Sequence, residues 1–315
     1  MKSYKLISFV LVVLAFATSA NAQQEAMYTQ MVYNKQHMNP AYVGYREVLN
    51  VTASHRSQWV GFKGAPNTQI ISFETPLKVD ELAMGFGLMH DKIGPTRETQ
   101  ISVDFSYRVR LINRATLAFG AKASVGLYQA NLVDVDLTSD YYGQEDEYFM
   151  ANPKSAILPN AGFGVYYYSK KYYISLSSPK MIRNKLEPKS YNLHDVLIGK
   201  TEPTVYFMAG YSYKINREYK LQPNIIAKGV ANSPVSVGAL VNLIYMDQLY
   251  IGAYYNFREV AGALLQWQVD KKWKIGYALD FATNEMILTN YGSHEIMLNY
   301  SVGNKRKRIV YPRYF

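Results

Sequence analysis

From Ile101 to Arg110 every second side chain is apolar, and this two-residue rhythm returns along most of the chain. Ile101, Val103, Phe105, Tyr107 and Val109 alternate with Ser102, Asp104, Ser106, Arg108 and Arg110. Leu117, Phe119, Ala121, Ala123, Val125 and Leu127 alternate with mostly small or polar neighbours, and the stretches 205–215 and 235–245 do likewise. A period of two is a strand with one apolar face. Runs of roughly 9–12 residues are the length that crosses a bilayer at a tilt. No segment beyond the N-terminal run approaches ~18 unbroken apolar residues, which excludes spanning helices. A closed antiparallel barrel is then the membrane structure that satisfies every backbone N–H and C=O. The composition agrees, with 29 tyrosines and 20 glycines in a chain that is 18% charged and has a mean hydropathy of −0.17. Tyrosine suits a membrane interface, its ring in the apolar layer and its hydroxyl in water. A soluble sandwich also alternates, but its strands average ~5–6 residues and its outer face carries more charge.

The pattern predicts fourteen strands, near 48–59, 68–76, 82–91, 99–110, 115–128, 160–168, 171–178, 204–215, 219–230, 234–245, 248–256, 261–269, 273–282 and 293–301. Even-to-odd connections are short, as at Asn216-Arg217-Glu218 and Asp270-Lys271-Lys272. Odd-to-even connections are longer on average and include 129–159, 179–203 and 283–292, although 231–233 and 257–260 are short. Outer-membrane barrels keep short turns on the periplasmic side and long loops outside the cell. An even strand count leaves both chain ends in the periplasm.

The two ends carry their own signals. Lys2 and Lys5, the apolar run from Leu6 to Ala17, and Ala20-Asn21-Ala22 form a three-part secretory signal, with Gln23 as the expected mature N-terminus. With no cysteine in the chain there is no lipoprotein anchor, disulfide or thiolate chemistry. Cleavage removes two lysines and no acid, so the net charge falls from +10 to +8. The expected organisation is a signal peptide at 1–22, an N-terminal periplasmic or plug segment at 23–47, a barrel at 48–301 and a basic tail at 302–315. Asn39-Pro40 marks a turn within the N-terminal segment. Met27, Tyr28, Met31, Val32, Tyr33, Met38, Tyr42 and Val43 make that segment too apolar for a solvated tail, so it is expected to pack in or under the lumen. Lys305-Arg306-Lys307-Arg308 fits a periplasmic position near anionic lipid or a partner better than nucleic-acid binding.

Candidate chemistry is sparse. Asp104, Arg108, Arg110, Lys122, Lys214, Lys228, Lys274 and Asp280 fall on the lumen-facing positions of their strands, because a charge facing lipid costs ~2–4 kcal/mol at the midplane. They suit either an anion-preferring pore or, the reading favoured here, a lumen filled by paired side chains and the N-terminal segment. Asp134, Asp136, Thr138, Asp140 and Glu145 match calcium-loop positions, yet Ser139 stands where the turn needs glycine, so an acidic surface loop explains them better and no metal is expected. The histidines (His37, His55, His90, His194 and His294) show no ligand spacing. Ser293 and His294, as strand neighbours, point to opposite faces and cannot form a dyad. A hydrolase is therefore the weakest reading, and neither cofactor nor catalytic residue is expected.

Five blocks in order, YTQMVYNKQHMNPAYVG (Tyr28 to Gly44), RSQWVGFKGAPNTQ (Arg56 to Gln69), GFGLMHDKIGPTRET (Gly85 to Thr99), GSHEIMLNY (Gly292 to Tyr300) and the terminal Pro312-Arg313-Tyr314-Phe315, together resemble the PorP/SprF-type outer-membrane proteins of the type IX secretion system. The first block is similar to that family's opening signature, although Tyr33-Asn34-Lys35 stands where the family often reads Phe-Asn-Pro. The resemblance implies a non-enzymatic role in secretion and surface attachment, gliding adhesins among the exported proteins. The implied partners are secreted surface proteins and periplasmic secretion components. Trp59, Gly61, Phe62, Gly64, Pro66, Asp91, Gly94 and Pro95 are the candidate partner-binding residues, in two loops expected outside the cell. The alternative function is a passive channel for small or hydrophobic solutes.

Overall fold

The computed structural model describes residues 29–112, 115–131, 155–186, 199–231, 233–257 and 259–302. The expected signal peptide and basic tail lie outside these residues. Seven strands open the wall: β1 (Leu49–Ser57), β2 (Asn67–Pro76), β3 (Leu82–Ile93), β4 (Thr96–Arg110), β5 (Thr116–Ala130), β6 (Ala156–Tyr168) and β7 (Tyr172–Lys180). A separate two-stranded ribbon, β8 (Lys185–Leu186) with β9 (Gly199–Lys200), follows. The wall resumes with β10 (Thr204–Tyr211), continued by β11 (Tyr213–Lys214), then β12 (Tyr219–Val230), β13 (Ser236–Tyr245) and β14 (Leu249–Asn256). It ends with β15 (Val260–Gln268), β16 (Trp273–Ala282) and β17 (Ser293–Val302).

Each wall strand pairs antiparallel with its neighbours, β7 with β10 and β10 with β12 included. β1 then pairs with β17 from Leu49↔Val302 to Ser57↔His294, which closes the sheet. Counting β10 and β11 as one, the protein is a closed barrel of fourteen strands, as the alternation predicts. Two details differ from the sequence reading. The stretch expected as one strand at 204–215 is interrupted at Ser212, which lies just past the start of β7 and donates its N–H to the carbonyl of Lys171 at 2.6 Å. The β8–β9 ribbon lies in a connection expected to be plain loop; two-residue strands carry no period to read.

Burial shows why the alternation has this form. Phe105 is 54% exposed and the adjacent Asp104 is 0%. Outward positions such as Ile101, Phe119, Val125, Phe207 and Val237 are exposed, while Ser102, Ser106, Lys122 and Ser124 are buried. This inversion of a soluble core is the signature of a wall with lipid outside and polar groups inside. Exposed aromatics gather near the short-turn end, among them Tyr107, Tyr172, Tyr213, Tyr245, Trp267 and Trp273. They form the girdle expected where an apolar belt meets headgroups. The short turns are held by side-chain caps: Asn216 accepts the N–H groups of Glu218 and Tyr219 at 2.9 and 2.7 Å. Asp270 accepts those of Trp273 and Lys272 at 2.7 Å each, and these bonds hold its carboxyl below the usual carboxylate range.

Candidate functional site

The inward wall faces do not enclose an empty lumen. Three short 3-10 turns, Thr29–Tyr33, Lys35–His37 and Pro40–Tyr42, lie against them, and nearly every described residue from Thr29 to Tyr45 is buried. The Asn39-Pro40 step divides two of these turns. Asn39 is extended, as a residue before proline prefers, and its side chain accepts the Ala41 N–H at 2.8 Å to cap the last turn.

The segment is tied to the wall at three levels. Nearest the long-loop end, the N–H groups of Thr29 and Gln30 donate to the Glu295 carboxylate at 3.1 and 3.4 Å. The Thr29 hydroxyl donates to Asp280, and Arg56 bridges Asp280 at 2.6 Å and Glu295 at 3.2 Å. In the middle, Gln36 donates to Asp104 at 3.1 Å, and Lys122 pairs with Asp104 at 3.3 Å while donating to the His37 carbonyl at 3.1 Å. Asn39 donates to the Ser175 hydroxyl at 2.7 Å and the Val165 carbonyl at 3.1 Å. Toward the short-turn end, Glu74 accepts the Gly44 N–H at 2.9 Å, and Arg108 donates to the carbonyls of Gly44 at 2.5 Å and Asp80 at 2.6 Å. Every level pairs a wall charge with segment backbone or amide, which is how a buried charge becomes tolerable.

Glycines make the room. A Cβ on Gly120 would collide with the backbone nitrogen of Ala41, and one on Gly164 with the Asn39 amide oxygen. Gly85 stands equally close to Gln36, at 2.6 Å from a built Cβ. Wall and segment are shaped to one another.

Of the charges read from the sequence, Asp104, Arg108, Lys122, Lys228, Lys274 and Asp280 are buried. Lys274 places its ammonium 4.0 Å from the Tyr250 ring centroid. Arg110 and Lys214 share the inward parity but stand at the short-turn ends of β4 and β11, and both are exposed to solvent rather than enclosed. Arg110 reaches Glu47 at 3.9 Å. Sequence reasoning passed over Arg56, Glu74 and Glu295. Their signal was present, since Arg56 continues the Asn50, Thr52, Ser54 parity of β1 and Glu295 continues Ser293 on β17.

At the long-loop end the candidate residues fall in two connections, 58–66 and 94–95, joined by a third at 283–292. The Gly94 N–H donates to the Gly64 carbonyl at 2.8 Å, and Val60 exchanges bonds of 2.8 Å with Gly292 and Tyr291. Trp59 has φ of 44° and donates its N–H to the Ser293 hydroxyl at 3.2 Å. Gly61, at φ of 95°, sits under the Tyr291 ring. Phe62 is 49% exposed, and Gly64 and Pro95 are also at the surface; Gly94 is half-buried and Pro66 is buried. Asp91 accepts the Thr68 hydroxyl at 2.5 Å from within β3. His294 meets the Tyr277 hydroxyl at 2.6 Å, away from Ser293. Asp134, Asp136, Asp140 and Glu145 lie outside the described residues, and among those described no three His, Cys, Asp or Glu side chains converge on one point.

The model of the type IX secretion system membrane protein PorP/SprF matches residues 20–300, lumen segment and wall together. The chain belongs to the PorP/SprF family. It is a type IX secretion system membrane protein of the outer membrane, built on the barrel described above. No curated protein matches it. Among solved structures, the Pseudomonas putida toluene transporter TodX is 10% identical, with 90% of this chain and 96% of that one covered and a TM-score of 0.49. The Acinetobacter baumannii outer membrane protein Omp33 is 11% identical, covering 81% and 99%, with a TM-score of 0.46. The KdgM porin is 7% identical over 81% and 99%, with a TM-score of 0.41. Likeness this distant says nothing of this family member's partners.

Proposed function

We propose that this PorP/SprF protein is a non-catalytic outer-membrane platform for type IX secretion. It is exported by a cleaved signal peptide at residues 1–22, and it holds secreted or surface-attached proteins, gliding adhesins among them, at its long-loop rim. Its short-turn end meets the periplasmic part of the machine. The observation that carries this reading is the family match, which takes in the lumen segment as well as the wall. The rim supports it physically. Three loops braced by backbone bonds present Phe62, Leu288 and Tyr291 to solvent, the last two 87% and 78% exposed. Aromatic and aliphatic anchors on a rigid rim are what a protein interface uses.

The passive channel has less support. What supports a narrowed lumen over an open one is that the segment from Thr29 to Tyr45 is buried and bonded to inward wall residues at three levels. Deleting the gene should abolish surface display of a subset of exported proteins while leaving small-solute permeability unchanged. Normal display of every such protein would overturn the platform, and steady conductance of the full-length barrel in planar bilayers would restore the channel.

A further inference from the structure

Toward the short-turn end of the lumen three basic side chains gather, and only one of them, Arg46, has a carboxylate charge beside it, that of Glu74. Lys35 is fully buried, and its Nζ lies 4.3 Å from the Tyr173 ring centroid and 5.4 Å from that of Tyr42. No hydrogen-bond acceptor meets it among the described residues. Lys274 reaches in from β16, its Nζ 4.0 Å from the Tyr250 centroid and 5.4 Å from Tyr33. Arg46 donates to the Tyr42 hydroxyl at 3.4 Å and to Asn299 at 3.0 Å. Lys35 and Arg46 meet at Tyr42, Lys274 stands over Tyr33, and Arg46 also bonds Asn299, the residue paired with Lys274 across β16 and β17. Beside them the Tyr33 hydroxyl is buried and also without a partner. Glu74, which also accepts from Gly44 and Asn50, supplies a counter-charge to Arg46, and Asp247 pairs with Lys220 at 2.5 Å. Among the described residues no carboxylate lies within ion-pair distance of Lys35 or Lys274.

An ammonium taken out of water without a counter-ion is strongly disfavoured, and the face of a ring returns only part of that cost. Like charges at close range add to it. A lysine so placed sheds its proton unless something negative sits beside it. We propose that this cluster binds a small oxyanion, a phosphate or carboxylate, between Lys35, Arg46 and Lys274, with the Tyr33 hydroxyl donating to it. Charge-assisted bonds from a guanidinium and two ammonium groups suit a compact anion with several acceptor oxygens. Arg46 is half-buried at the short-turn mouth, so the ligand enters from the periplasmic side. The barrel wall separates the site from membrane lipid, which leaves soluble anions as the source. The site is independent of the platform reading, because it concerns the lumen and not the rim.

The test uses the mature barrel in detergent, with its thermal midpoint followed as inorganic phosphate or succinate is added at constant ionic strength. The expected result is a saturable rise with one or both anions and none with chloride. Lys35→Gln and Lys274→Gln should each weaken the apparent affinity by about tenfold or more. Lys274→Arg should keep the response, and the exposed control Lys214→Gln should leave it unchanged. If Lys35→Gln does not fold, the two Lys274 variants decide. An equal rise with chloride, no rise with either anion, or Gln variants that respond like the parent would overturn the proposal.

Discussion

Among the buried side chains of the lumen, Arg56 bridges both Asp280 and Glu295 with its guanidinium. Replacing it with alanine leaves two carboxylates close together and out of water. Arg56→Ala should lower stability by about 3–5 kcal/mol in denaturant unfolding of the reconstituted barrel, the usual cost of orphaning a buried charge. A loss under 1 kcal/mol would mean that water already reaches the triad. Gly120 makes a steric version of the same point. Gly120→Val should expel the Ala41 backbone, cost about 1–3 kcal/mol and open the segment to protease. Gly229→Ala is its control, because a Cβ there meets nothing within 4 Å. If both variants behave alike, the close fit between wall and segment is not what holds the segment in place. Parity alone marks Gly120 as an inward residue. That it faces Ala41 requires the fold.

Among the elements, the N-terminal segment is held by charges that the wall contributes, which meet backbone, amide and hydroxyl groups of the segment. The segment has no period of its own, only three short turns separated near Asn34 and Asn39, so its conformation comes from the strands around it. Removing residues 24–45 deletes all three levels of bonding while leaving every wall strand intact. The truncated barrel should therefore insert, conduct ions in planar bilayers and melt at a lower temperature than the full chain. Unchanged conductance and melting would show that the segment neither blocks the lumen nor supports the wall. The strands themselves are nearly autonomous in sequence. β4 and β5 pair without interruption from Arg110↔Thr116 to Thr96↔Ala130, because their apolar and polar faces are both unambiguous.

For the whole molecule, the asymmetry between its ends is the basis of the orientation proposed here, long loops outside the cell and short turns in the periplasm. The long connections and the exposed Phe62 belong to one end, and the aromatic girdle and side-chain-capped turns to the other. A chain without cysteine lends itself to a direct check. Phe62→Cys should react with a membrane-impermeant maleimide on intact cells, and Val79→Cys, exposed in the turn between β2 and β3, only after lysis. The opposite labelling pattern would invert the topology and with it the assignment of the rim to surface partners.

The barrel wall is legible in the amino-acid order alone. Side-chain direction in a strand depends only on position along the chain, so alternation such as Ile101 to Arg110 reveals the strand, its two faces and its lipid exposure together. Turn lengths then supplied the pairing order and the sidedness, and five blocks in register supplied the family. The contacts between segment and wall could not be read from the chain alone. Which wall charge meets which segment residue, as Lys122 meets His37 or Arg108 meets Gly44, depends on chain segments brought together by closure of the sheet. The exposure of Arg110 and Lys214 was hidden for a related reason. Parity states which way a side chain points, whereas enclosure depends on how far along the barrel axis it stands, and that distance is set only when β1 closes on β17.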